Sequence, residues 1–240
     1  GIRDSTVTGV QTCALPICMT WRRNFIRTYL ERDIPSLGPR VPAQTLDRFW
    51  TMLAHQQGGL INTAQLARNI DVSATTAHRY IDLMADLLLV RRLQPWSANA
   101  GKRLVRSPKV YIRDSGIVHA LLNIINLQDL TGHPVCGASW EGMVIENILS
   151  VCKEHVRPSF YRSSQGAEID LILQSGTGKP WAIEIKRSLD PSVSRGFHQA
   201  CEDIGAENRF VVYAGSEKFS IGRQLTAIPL AEMMNLALAL

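Results

Sequence analysis

AEIDLILQSGTGKPWAIEIKRS, Ala167 to Ser188, decides the fold. Two apolar runs, Glu168 to Leu173 and Trp181 to Lys186, flank a short segment of Gly, Ser, Thr, Lys and Pro, the pattern of two strands joined as an antiparallel hairpin. Strand side chains alternate between faces, so Glu184 and Lys186 share one face while Ile183 and Ile185 occupy the other. Pairing Gln174 with Pro180 sets Asp170 opposite Glu184 and Glu168 opposite Lys186. Three acids and a lysine then share one patch. The hard oxygens of Asp170 and Glu184 suit magnesium or manganese, with positions left for water and a phosphate. Lys186 beside such a metal would orient or activate the attacking water, or stabilise charge developing on the phosphate. The structural alternative is a hairpin edge guarded by charges against aggregation.

The wording D-x13-E-x-K resembles the PD-(D/E)xK nuclease superfamily, whose core is a mixed sheet flanked by helices. The resemblance implies a metal-dependent endo- or exodeoxyribonuclease, with a further acid on the first helix. Trp140 to Cys152 reads as that helix, with Val144, Ile145, Ile148 and Leu149 as its buried stripe. Glu141 and Glu146 are its candidate acids, and the family wording favours Glu146 as catalytic beside Asp170, Glu184 and Lys186; solvated helix charges are the alternative. Arg162 would contact phosphate or pair with one of these acids. A second helix, Arg195 to Ile204, and a strand, Arg209 to Tyr213, complete the alternating pattern. Gln199 is a weaker polar candidate there. His198 reads as a surface histidine, because no second histidine lies at ligand spacing.

Composition bounds the rest. The chain has 240 residues, 45% apolar and 20% charged, as expected of a soluble and cytoplasmic α/β (α+β) protein of one large or two modest domains. No apolar run reaches the roughly 18 residues needed to cross a bilayer. The five cysteines, Cys13, Cys18, Cys136, Cys152 and Cys201, form no C-x-x-C pair and read as reduced thiols. The net charge of +5 is unevenly spread. From Met19 to Ala120, 15 Lys and Arg stand against 7 Asp and Glu, a net of +8; from Leu121 to Leu240, 10 stand against 13, a net of −3. The front half is the better surface for a polyanion.

Residues 1–18 lack amphipathic period and the build of a signal peptide, and resemble translated sequencing-adapter read-through. They are expected to stand outside the fold, an ordinary disordered tail being the other reading. From Trp21 the spacing of Trp21, Phe25, Tyr29 and Leu30 predicts a helix ended by Pro35 and Gly38, and Thr45 to Gln57 a second burying Leu46, Phe49, Trp50 and Leu53. Thr63 to Asn69 reads as a short helix, Asp71-Val72-Ser73 as a turn, and Ala74 to Leu88 as a longer helix capped by Ser73. This resembles the helix-turn-helix of winged-helix domains, with Leu66, Ala67, Val72, Ala77, Tyr80 and Ile81 as its core. Thr75, Thr76, His78 and Arg79 would then face DNA. Val90 to Ile112 reads as a two-stranded wing carrying Arg91, Arg92, Lys102, Arg103, Arg106 and Lys109 around Asn99-Ala100-Gly101. Double-stranded DNA is the expected partner, although winged helices also dock proteins. Arg113 to Ala138, punctuated by Asp114-Ser115-Gly116 and Thr131-Gly132-His133-Pro134, reads as a loop-rich bridge.

TYLERDI (Thr28 to Ile34), KVYIRDSGIVHALL (Lys109 to Leu122), ASWEGMVIENIL (Ala138 to Leu149), FYRSSQGAEIDLIL (Phe160 to Leu173) and WAIEIKRS (Trp181 to Ser188) follow in order. Together they resemble the C-terminal part of a bacterial and archaeal AAA-type ATP-binding family, in which the ATPase precedes a winged helix and a nuclease-like domain. The resemblance implies a helical remnant of the ATPase lid over residues 19–57, a winged helix over 58–120, a linker over 121–137 and a restriction-endonuclease-like domain over 138–240. It also implies a chain cut from a longer one, with the ATPase portion or another protein as partner. No G-x-x-x-x-G-K-[ST] is present, since Gly176-Thr177-Gly178-Lys179 is followed by Pro180, so no bound nucleotide or ATP turnover is expected. A module that binds DNA or protein without cutting is the alternative function.

Overall fold

The computed structural model describes residues 16–36, 41–96, 105–222 and 224–240. The chain is a mixed α/β structure that divides into two compact units, residues 1–91 with 110–139 and residues 92–109 with 140–240. No helix among the described residues is long and apolar enough to cross a membrane.

The first unit is helical. Helix α1 (Pro16–Thr28) runs into a π-helical turn (Tyr29–Asp33) and a short α2 (Ile34–Ser36). It starts five residues before the expected Trp21, and Met19 belongs to the core. The expected aromatic stripe is displaced. Trp21 is exposed and stacks on Phe25, which stacks on Tyr29, whereas Met19, Ile26, Leu30 and Ile34 are the buried residues. Helix α3 (Ala43–His55) buries Leu46, Phe49, Trp50 and Leu53 at 3.6-residue period as expected, each burial contributing about 1.5–3 kcal/mol.

Helix α4 (Thr63–Asn69) and helix α5 (Ala74–Asp86) are capped by Asn62 and Ser73, whose side chains accept from the Gln65 and Thr76 amides at 3.0 Å. Asp71, in the turn between them, has φ 56°, the left-handed conformation that aspartate tolerates. Helix α5 ends two residues before the expected Leu88, which is exposed at φ 59°. Leu66, Ala67, Ala77 and Ile81 are buried, with Val72 and Tyr80 packed against them.

Strands β1 (Val90–Leu93) and β2 (Lys109–Ile112) pair as the expected two-stranded element, and the chain passes between the units within them. The expected wing tip, Asn99-Ala100-Gly101, lies outside the described residues, as does Cys13. The expected loop-rich bridge is instead mostly helical: α6 (Ser115–Leu121), α7 (Leu127–Gly132) and the start of α8 (Cys136–Val151). Asp114 caps α6 through the Ile117 amide at 2.9 Å, and Gly116 to Leu121 are buried. The Arg22 guanidinium occupies the space that a Cβ at Gly116 would take.

The second unit is built on a six-stranded mixed sheet, order β3-β4-β5-β6-β8-β7, formed by β3 (Val156–Arg162), β4 (Glu168–Ser175), β5 (Trp181–Ile185), β6 (Asn208–Tyr213), β7 (Phe219–Ile221) and β8 (Leu225–Pro229). β5, β6 and β8 run parallel, with antiparallel neighbours at both ends. Helix α9 (Arg195–Ile204) makes the crossover from β5 to β6, and α10 (Leu230–Leu238) closes the chain. Phe197, Ala200 and Cys201 of α9 share a core with Ile169, Ile172, Ala182 and Val211. Ser194 caps α9, and Gly205 ends it at φ 67°.

Candidate functional site

The β4–β5 hairpin pairs Leu171 with Ile183, Ile172 with Ala182 and Leu173 with Trp181, the expected register. One step further along, the Ile185 amide donates to Asp170 Oδ2 at 2.9 Å, tying Asp170 beside Glu184 at the carboxyl end of β5. In open α/β sheets that end is where ligands bind. Lys186 Nζ donates to Glu184 Oε1 at 2.7 Å, and its backbone amide continues the sheet by donating to Val212 O. Asp170, Glu184 and Lys186 are thus gathered as the sequence spacing predicts.

Two further residues join Asp170, Glu184 and Lys186. Glu141 comes to the site from α8, through Lys109 Nζ at 3.2 Å. Glu146 follows five residues later, roughly 140° further round the helix. Glu141 is one of the charges that act on Asp170, Glu184 and Lys186, and Glu146 is half-buried on the same helix. Lys109 is not a wing cation. It is 3% exposed, and besides Glu141 it meets Glu168 at 2.8 Å and Asp170 at 3.8 Å, with its Nζ 5.5 Å from the centre of the Phe160 ring. Its sequence signal was slight: a lysine opening the apolar run Val110-Tyr111-Ile112. Arg162 pairs with Glu168, an acid of β4, at 3.6 Å.

Burial pushes the Asp170 carboxyl well up, Glu141 and Glu184 push it further, and Lys109 and the Ile185 amide pull it back. Burial likewise raises Glu184 against the pull of Lys186. Burial opposes the Lys109 charge, but Glu141, Asp170 and Glu168 outweigh it and hold the ammonium above the ordinary lysine range. Lys186 is raised in the same way, mainly by Glu184 against its own partial burial.

Glu141, Glu168, Asp170 and Glu184 face Lys109, Lys186 and the more exposed Arg162, so carboxylates are in excess. Magnesium is commonly held by one or two carboxylates, with water and phosphate completing its shell, and the pair Asp170 and Glu184 fits that donor set. Among the described residues no group of three His, Cys, Asp or Glu stands ready for a metal, and an ammonium is what the acids surround.

On helix α5, Thr75, His78 and Arg79 are exposed at i, i+3 and i+4 and form one face. His78 Nδ1 lies 3.0 Å from Asp82. Thr76 is half-buried, and its hydroxyl lies 2.8 Å from Ser73 Oγ within the cap. Arg91 and Arg92 are half-buried on β1; Lys102 and Arg103 lie outside the described residues. His198 is a surface residue, and exposed Gln199 donates to Asp203 at 2.9 Å.

Residues 12–128 match a domain of unknown function (DUF8612), and residues 136–233 match a second domain of unknown function (DUF4143). Uncharacterized proteins of Mycobacterium tuberculosis and Mycobacterium bovis are each 45% identical to the chain over 216 residues, which is 90% of this chain and 48% of theirs. The chain therefore spans about half the length of the curated relatives it matches. No solved structure matches it.

Proposed function

We propose that the chain is a DNA-engaging part of a longer protein, and that its second unit carries a magnesium-dependent nuclease-like centre. The observation that carries this reading is the hairpin register, which sets Asp170 beside Glu184 with Lys186 bonded to the latter. Asp170 and Glu184 would hold the metal, with Glu141 in support at the position for which the sequence favoured Glu146. When bound, magnesium would polarise a phosphate and acidify a bound water. Lys186 is an ammonium with three donors, one of them given to Glu184, and it keeps the others for a phosphate oxygen or the attacking water. Thr75, His78 and Arg79 would meet the duplex, and the AAA-type resemblance together with the double length of the relatives supports an ATPase portion as partner.

The test is nicking of supercoiled plasmid by the full chain with Mg²⁺ or Mn²⁺, compared with Asp170→Asn and Lys186→Ala. Loss in both variants is expected. Equal nicking by all three would mark a contaminant and remove the enzymatic reading. A second reading, a nuclease-like fold that binds without cutting, is favoured by Lys109, whose ammonium already occupies a place among the acids.

A further inference from the structure

Lys109 is the buried cation that the proposed reaction leaves without a task. Its Nζ is in hydrogen-bond reach of Glu141 and Glu168, 3.8 Å from Asp170, and backed by the Phe160 ring. Lysine is seldom fully buried without partners, and here three carboxylates from two elements supply them.

We infer that Lys109 is an internal stand-in for the divalent cation: its ammonium holds the acids together, and it and a metal on Asp170 exclude one another. The inference rests on reading Asp170 and Glu184 as the metal pair. Physically, an ammonium and a divalent ion drawing on the same carboxylates repel each other at close range, and the dry setting strengthens that repulsion. Metal entry therefore requires the Lys109 amine to leave Asp170, and removing the amine while keeping its stem opens the place to metal.

Thermal unfolding of the full chain against MnCl₂ tests this, using wild type, Lys109→Met and Lys109→Met with Asp170→Asn. Lys109→Met is expected to unfold at a lower temperature without metal, to be raised by Mn²⁺ at concentrations at least tenfold below those that move the wild type, and to lose that response when Asp170→Asn is added. If Lys109→Met does not fold alone, recovery of its circular dichroism on adding Mn²⁺ supports the same conclusion, and failure to recover overturns it. Equal Mn²⁺ responses in wild type and Lys109→Met overturn the exclusion and leave the metal pair standing. Plasmid nicking by a wild type whose Lys109→Met form ignores Mn²⁺ overturns the role of Lys109 and not the nuclease; a metal response without nicking does the reverse.

Discussion

Asp170 is held in a place where its ionised form is disfavoured, first by burial and then by Glu141 and Glu184. A carboxyl raised in the folded state contributes stability that is fully present below its unfolded value, about 4, and is lost as pH rises through the folded value. Asp170→Asn keeps an acceptor for the Ile185 amide and gives up only the longest of the Lys109 contacts. It should therefore stabilise the chain at pH 8 and leave it unchanged at pH 3.5, read from urea midpoints. Lys109→Ala should do the opposite at neutral pH, costing about 3–5 kcal/mol, because it strands buried acids. A site kept at the expense of stability is the signature of function, and a stabilising Asp170→Asn would carry it. The acids of this site were legible in the sequence because period and register put them on one face. Lys109 was not, since a lysine in a basic stretch looks the same whether solvated or buried, and only its long-range partners distinguish the two. The reach of Glu141 to Lys109 depends on the rotation of α8 against the sheet, which family wording does not encode.

At the scale of elements, the sequence was most legible where a side chain satisfies a backbone group locally. Ser73 announces the start of α5, and α9 spans Arg195–Ile204 as expected, with Ser194 capping its start and Gly205, at φ 67°, ending it. Ser73→Ala removes the acceptor for the Thr76 amide and should cost about 1 kcal/mol, seen as a lowered melting temperature with the fold retained. Legibility failed where polar residues were read as punctuation. Asp114 is a cap, and Arg22 occupies the space beside Gly116, so a stretch rich in turn residues is a buried helix. It failed again for β3, β7 and β8, whose runs are short or interrupted and take their identity from neighbouring strands.

For the whole molecule, charge is the property that separates the two halves: a net of +8 over Met19 to Ala120 against −3 over the remainder to Leu240. Lys109 contributes to that count, yet it is buried among carboxylates, so the surface available to a polyanion depends on exposed groups such as Arg79. Each phosphate neutralised releases condensed counterions, so log affinity for a duplex should fall linearly with log salt, with a slope of about −0.9 per contact. Arg79→Ala should weaken binding to unrelated duplexes alike and reduce that slope by about 1. Asp170→Asn, remote in sequence from α5 and lacking a positive charge to lose, should leave the slope of that contact set in place while abolishing nicking. Fluorescence anisotropy of a labelled duplex, titrated at several salt concentrations with all three proteins, measures both quantities. Binding without salt dependence would reassign the exposed face of α5 to a protein partner, because apolar or neutral docking releases no ions from DNA.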